Sequence, residues 1–172
     1  MLSNAYKIEQ IKLLSITDHL TGIYNRRYFE IRLKEEIERA KRNKSAFSII
    51  LFDIDDFKLI NDSYGHEIGD KILKKIVDLV KSRIRSTDLF FRWGGDEFII
   101  LLPDTDLNNA KVLAEQLRQK IYETNFEINN NISASFGITS YTKGISLTEL
   151  MKKIDFLMYE AKKLGKNKIC YS

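Results

Sequence analysis

Two adjacent carboxylates, Asp96 and Glu97, follow the pair Gly94-Gly95 and open the apolar run Phe98-Ile99-Ile100-Leu101-Leu102. A Gly-Gly pair between two β-prone runs, with Phe90 to Trp93 on the other side, predicts a β-hairpin with its tip at Gly94-Gly95. Turn chemistry asks for the glycines. It does not ask for two acids at the mouth of a buried strand, where a carboxylate is costly without a cation or donors beside it. A second acidic group, Asp53 with Asp55 and Asp56, closes the apolar run Phe47–Phe52. If the two runs are neighbouring strands, Asp53, Asp96 and Glu97 meet, and three carboxylates at close range repel unless a divalent cation sits among them. All-oxygen ligands point to a hard ion, Mg²⁺ or Mn²⁺, rather than zinc. Such ions are commonly held by one or two carboxylates, with nucleotide phosphates completing the shell. The plainer reading, that Asp53 and Asp55 cap the next helix, would win for those two alone and is the weaker one beside the hairpin acids.

Other nucleotide signals are sparse. The chain has no Walker-type loop and no Gly-x-Gly-x-x-Gly fingerprint. His66-Glu67 is followed by Asp70, so the two-histidine zinc pattern is not met, and His19 and His66 read as structural. Phosphate binding then falls to backbone amides at a helix start near Asp55–Phe57, helped by Lys162 and Lys166. Each lysine alone is explained by the favourable placement of cations at a helix C-terminus. Arg85-Ser86-Thr87-Asp88, taken alone, reads as a surface ion pair.

The elements that must position these residues follow from periodicity. Residues 1 to about 16 read as a helix with Ile8, Ile11 and Leu14 in a stripe, either the end of a stalk or a helix docked on the domain. The turn-rich segment Thr17–Asn25 ends at a residue suited to cap the next helix, whose inner face is Phe29, Leu33, Ile37 and Ala40. Phe47–Phe52 is a near-continuous apolar run, as expected of a strand buried on both faces. A second helix is expected over about Ile68–Ile84, then the hairpin, then a helix capped by Asp106. Ile132–Tyr141 reads as a strand with Gly137 inside it, Ser146 and Glu149 as a capping box opening the last helix, and Lys168–Tyr171 as a final strand. Helices alternating with strands around one hairpin predict an α/β sandwich with a mixed sheet.

Composition sets the bounds. A chain of 172 residues, 44% hydrophobic, is long enough for one domain with a full core. Its apolar stretches are far short of a membrane span, no signal peptide is visible, and the single Cys170 excludes an internal disulfide and suits a reducing cytosol. The net charge of +4 invites a nucleic-acid reading. The basic residues, however, are spread along helices with no block of like charge, so a solvated surface with a bias toward polyanionic ligands is the better account.

Four stretches, in order, resemble the GGDEF domain of the diguanylate cyclase family across nearly the whole chain. They are Asp18–Phe29, Phe52–Asp70, the signature Arg92–Phe98, and Tyr159–Asn167. The resemblance implies a palm-like, nucleotidyl-cyclase-like α/β domain over 17–172, with a mostly antiparallel central sheet flanked by helices. Residues 1–16 would be the end of a signalling stalk from an upstream sensory module. It further implies synthesis of cyclic di-GMP from two GTP in a homodimer, without nucleic acid or membrane contact by this segment, in the cytoplasm. Asp53, Asp96 and the carbonyl of Ile54 would hold Mg²⁺ (or Mn²⁺), and Glu97 would be a further ligand or the base for the ribose 3′-hydroxyl. Asn61 and Asp70 would read the guanine edge. Phe57, Lys58, Gly94, Gly95, Lys162 and Lys166 would line the nucleotide, with lysine at 166 where many members carry arginine. Arg85 and Asp88 would form an inhibitory site for the product. The competing reading is a non-catalytic GGDEF-like module that binds GTP or cyclic di-GMP for signalling. Such modules usually lack one of the acids that are all present here.

Overall fold

The computed structural model describes residues 3–172, the side chain of Leu14 excepted. Met1, Leu2 and the Leu14 position of the expected stripe thus lie outside the described residues. The elements are α1 (Asn4–Ile16), β1 (Tyr24–Asn25), α2 (Arg26–Asn43), β2 (Phe47–Ile54), α3 (Phe57–Tyr64), α4 (His66–Lys81), β3 (Leu89–Gly94), β4 (Glu97–Pro103), α5 (Leu107–Glu123), β5 (Ala134–Ser140), α6 (Leu147–Lys163) and β6 (Ile169–Tyr171). Among the described residues they form one six-stranded sheet in the order β1-β3-β4-β2-β5-β6. The four central strands are antiparallel, and the edge strands β1 and β6 run parallel to their neighbours. This is the mixed, mostly antiparallel sheet the sequence predicts.

The period-2 alternation of side chains divides the core. Phe47, Ile49 and Leu51 of β2 face α2 and α6 together with Ile99 and Leu101 of β4. Ile50, Phe52 and Ile54 face α4 and α5 with Phe98, Ile100 and Leu102. Parity therefore puts Asp53 and Glu97 on the α2/α6 face. The helix caps are local and strong: Asn25 accepts from the Tyr28 amide at 3.0 Å, and Asp106 from the Asn109 amide at 2.8 Å. Ser146 and Glu149 exchange bonds of 3.1 and 2.9 Å in a capping box. Gly137 has a packing reason, because a Cβ there would meet Met158 N at 2.6 Å and Ile154 O at 2.7 Å. Its absence lets the α6 backbone lie directly on β5.

Three boundaries differ from expectation. The hairpin turn is Gly95-Asp96 rather than Gly94-Gly95, since Gly94 pairs with Glu97 across the last rung. Gly95 alone takes the left-handed conformation (φ +48°), the one a glycine at the first loop position supplies. Strand β1 arises in the turn-rich segment because its two residues borrow β3 as a template. The helix expected from Ile68 is preceded by the separate α3, broken from α4 at Gly65 (φ +88°). Among the described side chains of α1, Tyr6, Ile8, Ile11 and Leu13 are exposed and do not dock on the core. No helix among the described residues is long and apolar enough to cross a membrane.

Candidate active site

Asp53 and Glu97 are register partners at the ends of β2 and β4, and the turn between β3 and β4 carries Asp96 beside them. The Ile54 amide donates to the Asp96 carbonyl at 3.2 Å, which ties the end of β2 to the turn. Lys162 of α6 donates to Asp53 Oδ2; the close seating of α6 over Gly137, one turn earlier, brings it there. Asp53 Oδ1 is buried with no hydrogen-bond partner. Burial, then the neighbouring Asp96 carboxyl, push the Asp53 carboxyl up to about 8 against the pull of Lys162. Burial, with Asp155 and Asp96 nearby, likewise raises Glu97, offset by Lys162 and Arg26. A carboxylate pair held this way wants a proton or a cation. Among the described residues no group of three or more His, Cys, Asp or Glu side chains forms a finished metal cage. The orphaned Asp53 oxygen, with Asp96 and Glu97 nearby, nevertheless fits a hard ion completed by ligand oxygens and water.

The turn is clamped by a residue that the sequence left without a role. Arg92 donates through Nε and Nη2 to the Gly95 carbonyl at 2.9 and 2.7 Å, and through Nη1 to both Asp18 oxygens at 3.1 Å. Burial works upward on Asp18, but the Thr21 hydrogen bonds and Arg92 hold its carboxyl below the usual range. The two partners are 74 residues apart, and no local signal links them. Gly94 and Gly95 are open: a Cβ on either would meet nothing within 4 Å.

Asp55 does not cap the following helix, and neither does Asp53. Asp55 is buried and accepts from Ser135 Oγ at 2.6 Å, Ser133 Oγ at 2.7 Å and the Asn167 amide at 2.9 Å. One carboxylate thus ties the ends of β2, β5 and the segment after α6. That segment carries Lys166 outside the helix in a left-handed conformation (φ +63°), with Nζ donating to Asp56 Oδ1 at 2.6 Å. Lys166 therefore owes its place to this tether rather than to a helix terminus. A further tie comes from Arg118 Nη1, which donates to Asn167 Oδ1 at 2.8 Å.

Asn61 and Phe57 lie on α3 against Gly69, the neighbour of Asp70 on α4. Asn61 Oδ1 is buried without a partner, Asp70 is exposed, and Lys58 is exposed on α3. Arg85 and Asp88 sit at the far end of the hairpin from the turn. Arg85 donates from Nη2 to Asp88 Oδ1 at 2.9 Å and to Thr105 Oγ1 at 2.6 Å, beside a cavity of about 270 Å³ lined also by Arg83, Asp104 and Asn109.

A mixed, mostly antiparallel sheet flanked by helices thus carries a carboxylate cluster at one strand end. The family model "Diguanylate cyclase, GGDEF domain" matches residues 15–168, and the chain belongs to this family. It is 36% identical over 173 residues to the diguanylate cyclase DgcS of Shewanella oneidensis, covering 99% of this chain and 56% of that protein. It is also 36% identical to the response regulator PleD of Caulobacter vibrioides, covering 91% and 36%. The solved active GGEEF domain of a diguanylate cyclase from Vibrio cholerae superposes with a TM-score of 0.82 at 38% identity, covering 86% of this chain and 96% of that one. The chain spans about half or less of the length of these two curated relatives.

Proposed function

We propose that this domain condenses two GTP into cyclic di-GMP with release of two pyrophosphates. The observation that carries the reading is the convergence of Asp53, Asp96 and Glu97 at one sheet end, with a buried Asp53 oxygen left without a partner. Asp53, Asp96, the Ile54 carbonyl and Glu97 would hold Mg²⁺, which when bound would stabilise the charge on the phosphate oxygens and the entering oxygen. Asn61 and Asp70 read the guanine edge, the carboxylate accepting from its N1 and N2 protons. Phe57 and Lys58 flank the nucleotide, and the bare backbone of Gly94 and Gly95 lets it lie close. Lys162 and Lys166 exchange their carboxylate partners for triphosphate oxygens. Glu97, raised by burial and by its acidic neighbours, accepts the proton of the ribose 3′-hydroxyl. The 3′-oxygen then bonds to the α-phosphorus of the second GTP, and the bond to pyrophosphate breaks.

Each domain binds one GTP, so the reaction takes two domains face to face. The exposed apolar residues of α1 supply a surface for pairing, and an upstream sensory segment would act through it. Consumption of GTP puts the domain in the cytoplasm. Arg85 and Asp88 bind the product at the far end of the hairpin and inhibit turnover; the cavity beside the exposed Arg85 guanidinium supports this. Incubation of the purified protein with GTP and Mg²⁺, followed by chromatography and mass analysis, should yield cyclic di-GMP. GTP binding with no product from an enforced dimer would leave only a signalling module.

A further inference from the structure

Glycine inside a helix is unfavourable relative to alanine, so Gly69 in α4 needs a reason. Backbone conformation does not supply one, because Gly69 is not among the positive-φ glycines. Space does. A Cβ on Gly69 would lie 1.9 Å from Asn61 Oδ1, 3.0 Å from Asn61 Cγ and 3.2 Å from Phe57 Cζ. Gly69 is buried, and Asn61 Oδ1 is a buried oxygen without a hydrogen bond. The hydrogen that replaces Cβ in glycine points at that oxygen, a weak Cα–H···O contact.

We propose that Gly69 is a specificity-positioning residue, whose missing side chain seats the Asn61 amide oxygen-inward against α4 beside Asp70. The inference rests on the reading of Asn61 and Asp70 as the guanine contacts. The amide oxygen is the atom that stands against Gly69, and Nδ2 is left for the ligand. A donor from Asn61 and an acceptor from Asp70 then stand side by side on adjacent helices. A purine ring offers an acceptor at N3, and guanine alone adds the N1–H and N2–H donors for the carboxylate. With the Asn61 end fixed, the base cannot shift to accommodate adenine.

The test is a mutant cycle on the full chain, read by calorimetric binding of non-reactive α,β-methylene GTP and ATP and by melting temperature. Asn61→Ala and Gly69→Ala should each weaken the GTP analogue about tenfold, the effect of one hydrogen bond, and each should narrow its margin over the ATP analogue. The double variant should bind no worse than Asn61→Ala alone. Its melting temperature should recover from the drop seen in Gly69→Ala, because only the edge of the Phe57 ring, 3.2 Å from the new Cβ, is then left to give way, and alanine is the better helix former. If Gly69→Ala alone does not fold, a folded double variant still supports the seat, and an unfolded one overturns it. Equal losses from Gly69→Ala in both backgrounds, or none in the wild type, also overturn it. An Asn61→Ala protein with unchanged affinity and discrimination would instead sink the guanine assignment, and with it any specificity role for Gly69.

Discussion

Asp53 and Glu97 stand directly opposite each other across β2 and β4, on the face of the sheet covered by α2 and α6. Like charges in opposed positions of an antiparallel pair destabilise it, and Asp96 adds a third acid in the adjoining turn. A fold stabilised for its own sake would not choose this arrangement. It becomes sensible as a place where charge is supplied by something else.

Replacing Glu97 by Gln keeps the shape and removes one of the opposed charges. Turnover should fall by about 10²-fold or more, the scale of a general base. The melting temperature should stay level or rise without metal. Lost activity accompanied by a large drop in melting temperature would mean that the residue is structural.

The titration of Asp53 gives a pH prediction with a definite sign. Its folded carboxyl, at about 8, lies above the unfolded value of 3.8. The stabilisation from this group is therefore complete below the unfolded value and is lost as pH rises through the folded one. Mg²⁺ binds the ionised form, so it should raise the melting temperature more at pH about 8.5 than at pH about 5.5 and release protons on binding. A magnesium effect independent of pH would contradict Asp53 as its ligand.

Gly137→Ala should act at a distance. The new Cβ meets backbone of α6 at 2.6 and 2.7 Å, which cannot rotate away. Overpacking of this kind costs about 1–3 kcal/mol, and displacement of α6 would carry Lys162 off Asp53. Denaturant unfolding together with a raised KM for GTP would register both effects. An alanine variant with wild-type stability would show that the helix has room to shift.

The central strands, the long helices and the acids at the strand exits were legible because each is written locally. Apolar runs, caps such as Asn25 and Ser146, and acids at strand exits are all visible within a few residues. What stayed hidden depends on contacts between distant segments. Nothing near Arg92 names Asp18 as its partner, and nothing near Asp55 names Ser133, Ser135 and Asn167. The tip of the hairpin moved by one residue because pairing continues through Gly94, which pattern alone does not reveal. Strand β1, only two residues long, exists because β3 is beside it.

Arg85→Ala removes a guanidinium that bonds Asp88 and Thr105 and borders the cavity behind the hairpin. Charge-assisted bonds of this type are worth about 1.5–3 kcal/mol, so inhibition by cyclic di-GMP should weaken by about tenfold or more. Progress curves at fixed GTP with added product would measure it, and an unchanged inhibition constant would remove the product from this site.

Two GTP-loaded domains face to face should complete one reaction. The most direct test is the initial rate of cyclic di-GMP formation, at saturating GTP and Mg²⁺, across a wide range of protein concentration. The rate should rise with the square of concentration while the protein is mostly monomeric and become linear once dimers dominate. A strictly linear rate down to concentrations where sedimentation shows only monomer would contradict it.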